Sequence, residues 1–451
     1  MIELNKEYID KIEQIIETKE DAKAIAILKE LHPADIAELY RELDHKDAVY
    51  LYQLMDSEKG ADVLMELEEE DRHELLKNMP TEMIAKQFVD KMDSDDAVDF
   101  MRELDEETQE EILSHIEDLE QAGDIVDLLK YDKDTAGGLM GTEMIVVNEN
   151  WSMPQCIEEM RKQAEEENMD EIYNVYVVDD DERLKGVLPL QKLITNPSIS
   201  KIKHVMQKDP VSVHDNDDTQ TVTEMISKYD LVSLPVIDSI GRLVGRITVD
   251  DVFDELQEQH EREYQLASGI SQDVESSDKV LVQTAARLPW LLIGMIGGLS
   301  NSFILGGFEA GFAHNPKMAL FIPLIGGTGG NVGIQSSAIV VQGLANNSLK
   351  SKHVFKQVAK ETAVSLINAI IISLIVFIYN CFTLGDQNIT ISVSISLFTV
   401  VLFASAFGTI VPMLLDRFKI DPAHATGPFI TITNDIIGMM IYMATTSLLM
   451  R

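Results

Sequence analysis

The sequence is poor in the residues and motifs that mark disulfide-bonded proteins and enzymes. It has two cysteines among 451 residues, Cys156 and Cys381, which lie far apart and form neither a disulfide framework nor a C-x-x-C metal pair. We find no phosphate-binding loop, zinc-ligand spacing or nucleophile–base arrangement, so we do not expect an enzyme. Residues 1–20 are charged and have no apolar signal-peptide core. We therefore expect the first 280 residues to stay in the cytoplasm.

Basic side chains are also scarce, since 37 Lys and Arg stand against 77 Asp and Glu, for a formal net charge of −40. The net charge is about −25 in residues 1–130, about −18 in residues 131–280 and about +3 in residues 281–451. An acidic body repels nucleic acid and anionic lipid surfaces and attracts cations. For any single Asp or Glu, a solvated surface group remains the simpler interpretation. The composition thus argues against nucleic acid as a partner and favours cations.

Residues 1–130 have the periodicity of short amphipathic helices. Stripes such as Ile36, Leu39 and Leu43 have the spacing of one helix face. They recur about every 12 to 16 residues, and helix-start signals such as D-S-D at residues 93–95 lie between them. The pattern predicts an all-α N-terminal domain of stacked hairpins, a small superhelical array with carboxylate-rich outer faces.

Residues 131–255 contain an internal repeat. The motif V-Y-V-V-D…R-L-K-G-V at 175–187 matches L-P-V-I-D…R-L-V-G-R at 234–246, an offset of about 59 residues. Both copies keep strand, turn, glycine, strand and closing helix in order, which resembles a tandem pair of α+β CBS domains. Such pairs often bind adenine nucleotides through a Thr or Ser three residues before an Asp, and Thr248 with Asp251 fits that spacing. ATP is therefore a candidate ligand, while a pair used only for dimerisation and force transmission is an equal alternative.

Residues 256–284 read as a polar connecting helix that could carry motion from the acidic body to the membrane. Beyond them, residues 285–451 predict a five-helix α transmembrane domain. The predicted spans are 286–308, 318–343, 362–383, 390–415 and 423–450. Basic residues cluster at 350–360 and at 417–419, so the positive-inside rule places the N-terminus in the cytoplasm and the C-terminus outside. We thus expect a multi-pass protein of the inner membrane.

The last apolar segment carries one carboxylate, Asp435, near its middle. An ionised Asp at mid-membrane costs at least about 2.5 kcal/mol, so such groups normally face a bundle interior or a watery path. The run 323–336 in the second span adds five glycines and two amides, Asn331 and Gln335, four residues apart on one helix face. Glycines permit close helix packing or carbonyls that face a cavity. We interpret these features as an ion path, against the alternative that the groups serve packing alone.

Four stretches together resemble the MgtE-type magnesium channels of bacteria. They are R-L-P-W-L-L at 287–292, F-E at 308–309, the glycine-rich run 323–335, and D-P at 421–422 through N-D at 434–435. The resemblance covers the whole chain, including the acidic helical domain and the CBS pair. It implies a homodimer with a pore on the two-fold axis, closed by Mg²⁺ bound to the cytoplasmic domains. The residues that we expect to line the pore are Gly330, Asn331, Thr431 and Asp435.

Matching the chain to the family pattern also implies regulatory magnesium ligands. They are Asp62, Asp95, Asp99, Asp218, Asp230, Asp251, Asp254 and Glu263. The chain departs from the pattern at Gln259 and Arg262, where the family tends to be acidic, and this weakens the expected sites on the connecting helix.

The chemistry of the predicted path suits Mg²⁺, which prefers oxygen ligands and gives up its water reluctantly. The spans contain no thiolate or His cluster, so soft metals are poor matches. Two other functions stay open: a coupled carrier that exchanges another cation for Mg²⁺, and a membrane-anchored CBS nucleotide sensor. The channel is favoured over the carrier because the sequence lacks a paired inverted repeat of broken helices.

Overall fold

The computed structural model describes residues 6–77, 79–166, 169, 172–197, 199–272, 274, 279–308, 315–345, 354–383, 385–420, 422 and 427–449. Asp421, the first residue of the D-P motif, lies outside the described residues. So do Lys350 and Lys352 of the basic cluster at 350–360. The chain divides into two compact units, Met1–Leu256 and Gln257–Arg451.

The N-terminal region is all-helical, as the recurring apolar stripes predict. Its helices are α1 (Lys6–Glu17), α2 (Asp21–Glu30), α3 (Pro33–Glu42), α4 (His45–Tyr52), α5 (Ser57–Met65), α6 (Glu69–Leu76), α7 (Thr81–Gln87), α8 (Ser94–Arg102), α9 (Glu106–Leu113) and α10 (Leu119–Leu128), with a 3-10 turn at Val89–Lys91. Asp56, Asp105 and Asp118 accept hydrogen bonds from backbone N–H groups in the helices that follow them, which fixes where α5, α9 and α10 begin. Arg72 on α6 donates through Nη2 to Glu103 at the end of α8, at 2.6 Å. Both side chains are largely buried, so this pair ties two helices together inside the array.

The CBS pair consists of two small sheets. Strands β1 (Ile145–Asn148), β2 (Asn174–Val178), β3 (Leu184–Pro189) and β4 (Gln207–Lys208) form the first in that order, and β5 (Val213–His214), β6 (Ser233–Ile237) and β7 (Leu243–Thr248) form the second. The helices are α11 (Ala136–Leu139), α12 (Met153–Glu166), α13 (Leu190–Thr195), α14 (Ile202–Val205), α15 (Thr219–Tyr229) and α16 (Val249–Ser268). In each copy the first two strands are parallel and the next two antiparallel. The register slips at Val177/Val178 in one copy and at Val236/Ile237 in the other, so even the irregularity repeats.

The N-terminal unit, Met1–Leu256, has two apolar cores. The first CBS copy packs its own core, which includes Val175, Val177 and Leu188. The core of the second copy is continuous with that of the N-terminal helices, because Val213 and Val222 belong to the same buried cluster as the residues of α1 to α10. The segment after α10 links them, and Gly141 exchanges backbone hydrogen bonds of 2.9 Å with Arg246 of β7.

The C-terminal unit contains five long helices among its described residues. They are α17 (Val280–Gly306), α18 (Ile322–Ala345), α19 (Val354–Thr383), α20 (Gln387–Arg417) and α21 (Pro428–Leu449), with a 3-10 turn at Pro316–Phe321 before α18. α20 packs against α18, α19 and α21 and is the most enclosed of the five. The predicted connecting segment 256–284 comprises the second half of α16, a partly described turn, and the first residues of α17.

Three helices in the described part of the chain are long and apolar enough to cross a membrane. They are Val280–Gly306, Gln357–Thr383 and Gln387–Arg417. The other two long helices, α18 and α21, are 24 and 22 residues long but carry the glycines, amides and carboxylate of the predicted path. Those polar residues lower their hydropathy, so the prediction of five spans stays a prediction for α18 and α21.

Candidate ion-binding sites

Three carboxylates meet beside the start of α8. One oxygen each from Asp93, Asp95 and Glu143 lies within 4.8 Å of the others, which is close enough for the three to share a metal ion. Asp93 and Asp95 flank the first residue of α8, where exposed backbone N–H groups favour negative charge. Glu143 comes from the segment before β1, and Ser94 holds it by donating from its backbone N at 2.8 Å and from Oγ at 3.0 Å. The sequence at the helix start thus brings two separate parts of the chain together.

Glycine at position 141 leaves room between these carboxylates. A methyl group there would lie 3.0 Å from both Asp95 Oδ2 and Glu143 Oε2. Any larger side chain would enter the space between the two oxygens. Glycine at this position therefore keeps side-chain atoms out from between the two carboxylates.

The carboxylates of this cluster repel one another, and this repulsion together with burial raises their pKa values. Burial raises the pKa of Asp95 well above its usual range, and the charges of Asp251, Asp96 and Glu143 raise it further. Asp96 has an exposed side chain, yet the protein around it partly removes it from water and raises its pKa to about 7, with Asp93 and Asp251 adding to the shift. Burial likewise raises the pKa of Glu143. Such a surface holds protons or cations at neutral pH more readily than an isolated carboxylate does.

Asp251 reaches this cluster from the second CBS copy. It lies in the first turn of α16, and the backbone N of Thr248 donates to its Oδ2 at 2.7 Å. Burial raises the pKa of Asp251, while its hydrogen bonds with Thr248 lower it. The predicted nucleotide residues Thr248 and Asp251 are therefore in contact, but Asp251 also faces the carboxylates of α8.

The structure brings together four of the eight predicted regulatory residues. Asp95 and Asp251 interact directly through their charges, and Asp62 and Asp99 both raise the pKa of Asp96. Asp99 also pairs with Arg102 at 3.0 Å, so part of its charge is already compensated.

The other four predicted residues lie elsewhere in the single chain. Asp218 caps α15 by accepting from Thr221 N at 2.7 Å, and Asp230 ends the same helix in a left-handed conformation. On α16, Asp254 is exposed and Glu263 accepts a hydrogen bond from Gln259 Nε2 at 3.0 Å. Their role as ligands stays a prediction.

Sequence reasoning missed Asp93, Asp96 and Glu143. The run D-S-D-D at residues 93–96 was visible as a helix start, and its charge density was the available signal. Glu143 gave no signal, because only the packing of the segment before β1 against α8 places it there.

In the C-terminal unit, Asp435 faces the glycine-rich helix. A methyl group at Gly326 would lie 3.5 Å from Asp435 Oδ1, and one at Gly330 would lie 3.6 Å from the same oxygen and 3.2 Å from Thr431 Cγ2. Three of the four predicted pore residues, Gly330, Thr431 and Asp435, thus meet. The fourth, Asn331, is exposed on α18, as is Gln335 one turn further. These amides share a face that the single chain leaves open.

The end of α16 lies against the start of α21. Gly427 adopts a positive φ of 52°, and a methyl group there would collide with the carbonyl oxygen of Ala267. A methyl group at Gly269 would meet Pro428 Cγ at 2.5 Å and Trp290 Cβ at 3.7 Å. The last turn of the connecting helix therefore touches both α17 and the helix that carries Asp435.

Comparison with known proteins places these sites in a family. The model of the divalent cation transporter MgtE matches residues 322–445, that of the MgtE intracellular N domain matches 31–134, and that of the CBS domain matches 136–197 and 202–258. A magnesium transporter MgtE of Enterococcus faecalis is 35% identical over 93% of this chain and 92% of its own length. One from Thermus thermophilus is 31% identical over 96% of both chains.

Two solved structures match the cytoplasmic part at 30% identity. One is the soluble part of a magnesium transporter, with a TM-score of 0.52 over 56% of this chain and 98% of that one. The other is the cytosolic domain of the Mg²⁺ channel MgtE in complex with ATP, with a TM-score of 0.51 over 55% of this chain and 99% of that one. These matches confirm the predicted N-terminal domain and CBS pair, and the relatives are transporters rather than enzymes. Since it matches such relatives over more than nine-tenths of its length, this chain belongs to the MgtE family of magnesium transporters.

Proposed function

We propose that the chain is a magnesium channel of the inner membrane, closed by Mg²⁺ bound to its cytoplasmic carboxylates. Two copies would form the pore, each with five spans, the N-terminus in the cytoplasm and the C-terminus outside. The observation that carries the proposal is the position of Asp435, which faces Gly326 and Gly330 of the neighbouring helix with no bulky side chain between them. A carboxylate retained at this depth is costly unless it serves a polar path.

The groups around Asp435 suit a largely hydrated ion. The Asp435 carboxylate supplies the charged oxygens, while Thr431 turns its Cγ2 methyl group to Gly330 and donates from Oγ1 to the carbonyl oxygen of Gly427 at 2.9 Å. Oxygen groups that touch the water shell are compatible with Mg²⁺, which dehydrates reluctantly. Two protomers would present two copies of this face, with the exposed Asn331 lining the same route.

The carboxylate cluster of the cytoplasmic unit supports control by Mg²⁺. Asp95, Asp251 and Glu143 come from three parts of the chain, so an ion that bridges them holds the helical domain against the CBS pair. An ion closes the channel only by binding the closed state better than the open one. Moving a gate from 1:99 to 99:1 takes about 5.5 kcal/mol, and one ion at ten times its dissociation constant supplies about 1.4 kcal/mol. Roughly four ions would be needed, which a surface of many carboxylates can hold.

The contact between α16 and α21 gives this control a route to the pore. Asp251 lies in the first turn of α16, and the last turn of α16 abuts Gly427 and Pro428, which precede Asp435 on α21. A shift of the connecting helix along its axis would therefore press on the helix that holds the pore carboxylate.

ATP is the nucleotide that we propose for the CBS pair. A relative of the cytosolic domain has been solved with ATP, and Thr248 and Asp251 have the spacing of a ribose-binding pair. Because Asp251 also faces Asp95, a nucleotide bound there would change the charge of the Mg²⁺ cluster.

The test is Mg²⁺ uptake by a bacterium that lacks its own uptake systems. We expect Asp435→Ala to reduce uptake to background, whereas Asp416→Ala, which removes an exposed carboxylate of α20, should leave it unchanged. A chain that lacks residues 1–279 should admit Mg²⁺ but lose shut-off at high cytoplasmic Mg²⁺. Uptake that survives Asp435→Ala would favour the anchored sensor, and uptake that follows a sodium or proton gradient would favour the coupled carrier.

A further inference from the structure

Two adjacent residues of α21 face two adjacent rows of glycines on α18. Gly326 and Gly330 form one row, and their surfaces face Asp435. Gly329 and Gly333 form the next row, and Gly333 faces the side chain of Asn434. Successive residues on an α-helix point about 100° apart. Each row of α18 therefore receives a different member of the Asn434-Asp435 pair.

Asn434 sits where three helices come closest. Its side chain is only 1% exposed, and neither its amide nitrogen nor its amide oxygen has a hydrogen-bond partner among the described residues. A methyl group on Gly333 would lie 1.9 Å from Asn434 Nδ2. On the opposite side, a methyl group on Gly408 of α20 would lie 2.3 Å from the carbonyl oxygen of Gly333. The backbone of Gly333 is therefore held between Asn434 and Gly408 with no spare volume.

An unpaired buried amide needs a reason, because leaving such a group unbonded inside a membrane bundle is unfavourable. A leucine or alanine would fill a purely apolar contact at lower cost. What Asn434 provides is shape: a flat, branched group that occupies the notch over Gly333. Asn434 directly precedes Asp435 in α21, so a rotation of the helix that moves Asn434 also moves Asp435.

We propose that Asn434 is a positioning residue, whose fit over Gly333 fixes the rotation of α21 and so aims Asp435 at Gly326 and Gly330. The proposal rests on the ion path proposed above. A rotation of α21 by about 20° would move a group roughly 6 Å from the helix axis by about 2 Å. That distance is enough to carry the carboxylate off the glycine row. Asn434 itself touches no ion in this scheme.

The geometry can be tested without transport. Cysteines at Gly326→Cys and Asp435→Cys, in a chain with Cys381→Ser, should form an intramolecular disulfide on mild oxidation, because the two side chains face each other. Adding Gly333→Ala should slow this cross-link about tenfold, since overpacking of a full contact forces the helices to shift. Adding Asn434→Ala as well should recover part of the rate, because it removes the amide nitrogen that the methyl group meets at 1.9 Å but leaves Ile430 Cγ2 at 2.7 Å. Gly327→Ala on the same helix, where a methyl group meets nothing within 4 Å, should leave the rate unchanged.

Uptake then connects the geometry to transport. In the chain that keeps Asp435, Gly333→Ala should lower Mg²⁺ uptake, and Gly333→Ala with Asn434→Ala should recover part of it. If the double variant is no better than Gly333→Ala in the cross-linking assay, the proposal is wrong. It is also wrong if Asn434→Ala alone leaves the rate of the Gly326→Cys to Asp435→Cys cross-link unchanged, because the loss of a positioning residue must slow it. Should Gly333→Ala fail to insert, Asn434→Ala alone still decides, since it adds no atoms and must slow the cross-link. Cross-linking that behaves as expected while uptake does not follow it would refute the ion path and leave the positioning role intact.

Discussion

Replacing Asp95 by Asn should make the N-terminal unit respond less to Mg²⁺. The variant should be more compact than the parent without the ion and less compact than the parent at high Mg²⁺. The oxygens of Asp95 and Glu143 lie within 4.8 Å of each other, and both side chains are half-buried. When both carboxylates are ionised, their charges at that separation repel by about 3 kcal/mol at an effective dielectric constant near 20, which is an upper limit because both pKa values are raised. Mg²⁺ removes this repulsion in the parent protein, and the substitution removes it without the ion.

The Mg²⁺-free variant should therefore be more compact than the Mg²⁺-free parent. Relief of up to about 3 kcal/mol corresponds to a change of roughly 100-fold in the balance between closed and open arrangements. At high Mg²⁺ the variant should be less compact than the parent, because it has lost a ligand and binds fewer ions. If one ion of about 1.4 kcal/mol is lost, the open population at saturating Mg²⁺ should rise about tenfold.

The assay is limited trypsin digestion of the full-length protein in detergent, across a Mg²⁺ titration. The parent should gain strong protection with Mg²⁺, and Asp95→Asn should start partly protected and gain less. Asp10→Asn, on the exposed face of α1, is the matched control and should behave like the parent. A variant that gains as much protection from Mg²⁺ as the parent would refute the assignment of Asp95 to the ion cluster.

Three further outcomes follow from the structure. Because the pKa of Asp96 is raised to about 7, protonation of this group should stabilise the Mg²⁺-free protein most below pH 4 to 5, and this stabilisation should be lost as pH rises through 7. Thermal midpoints measured between pH 5 and 8 should show the decline. Saturating Mg²⁺ should make the midpoints less dependent on pH. Arg72→Ala leaves Glu103 buried without its partner and should lower the free energy of unfolding by about 3 kcal/mol, which chemical denaturation will measure; an effect below about 1 kcal/mol would mean that the pair is solvated. Gly427→Ala places a methyl group against the carbonyl oxygen of Ala267 at a positive φ, so it should keep Mg²⁺ uptake but weaken shut-off at high cytoplasmic Mg²⁺, whereas unchanged shut-off would exclude this contact from control.

Local patterns in the sequence predict much of the cytoplasmic unit. The repeat offset of about 59 residues places Asn174 opposite Pro189 and Ser233 opposite Thr248 in equivalent strand pairs, as the structure shows. Such pairings follow from periodicity within a few dozen residues. Apolar runs also predict the long helices of the C-terminal unit, of which three in the described part of the chain are long and apolar enough to cross a membrane.

The sites depend on contacts that no local pattern encodes. Glu143 joins Asp95 because Ser94 binds its carboxylate across 49 residues of sequence. The alignment of Asp435 with Gly326 and Gly330 needs the packing of two helices about a hundred residues apart. The sequence showed which side chains were unusual, and only the tertiary packing shows which of them meet.

The shared core described above limits where this protein can be cut. Val213 and Val222 of the second CBS copy pack in one cluster with the N-terminal helices, so a deletion of residues 1–130 would expose apolar side chains of the second copy to water. The exposed apolar surface would favour aggregation. A loss of shut-off in such a truncated protein would then reflect misfolding and not the loss of an ion sensor. Deletion variants should therefore remove the whole N-terminal unit, and other variants should replace single side chains.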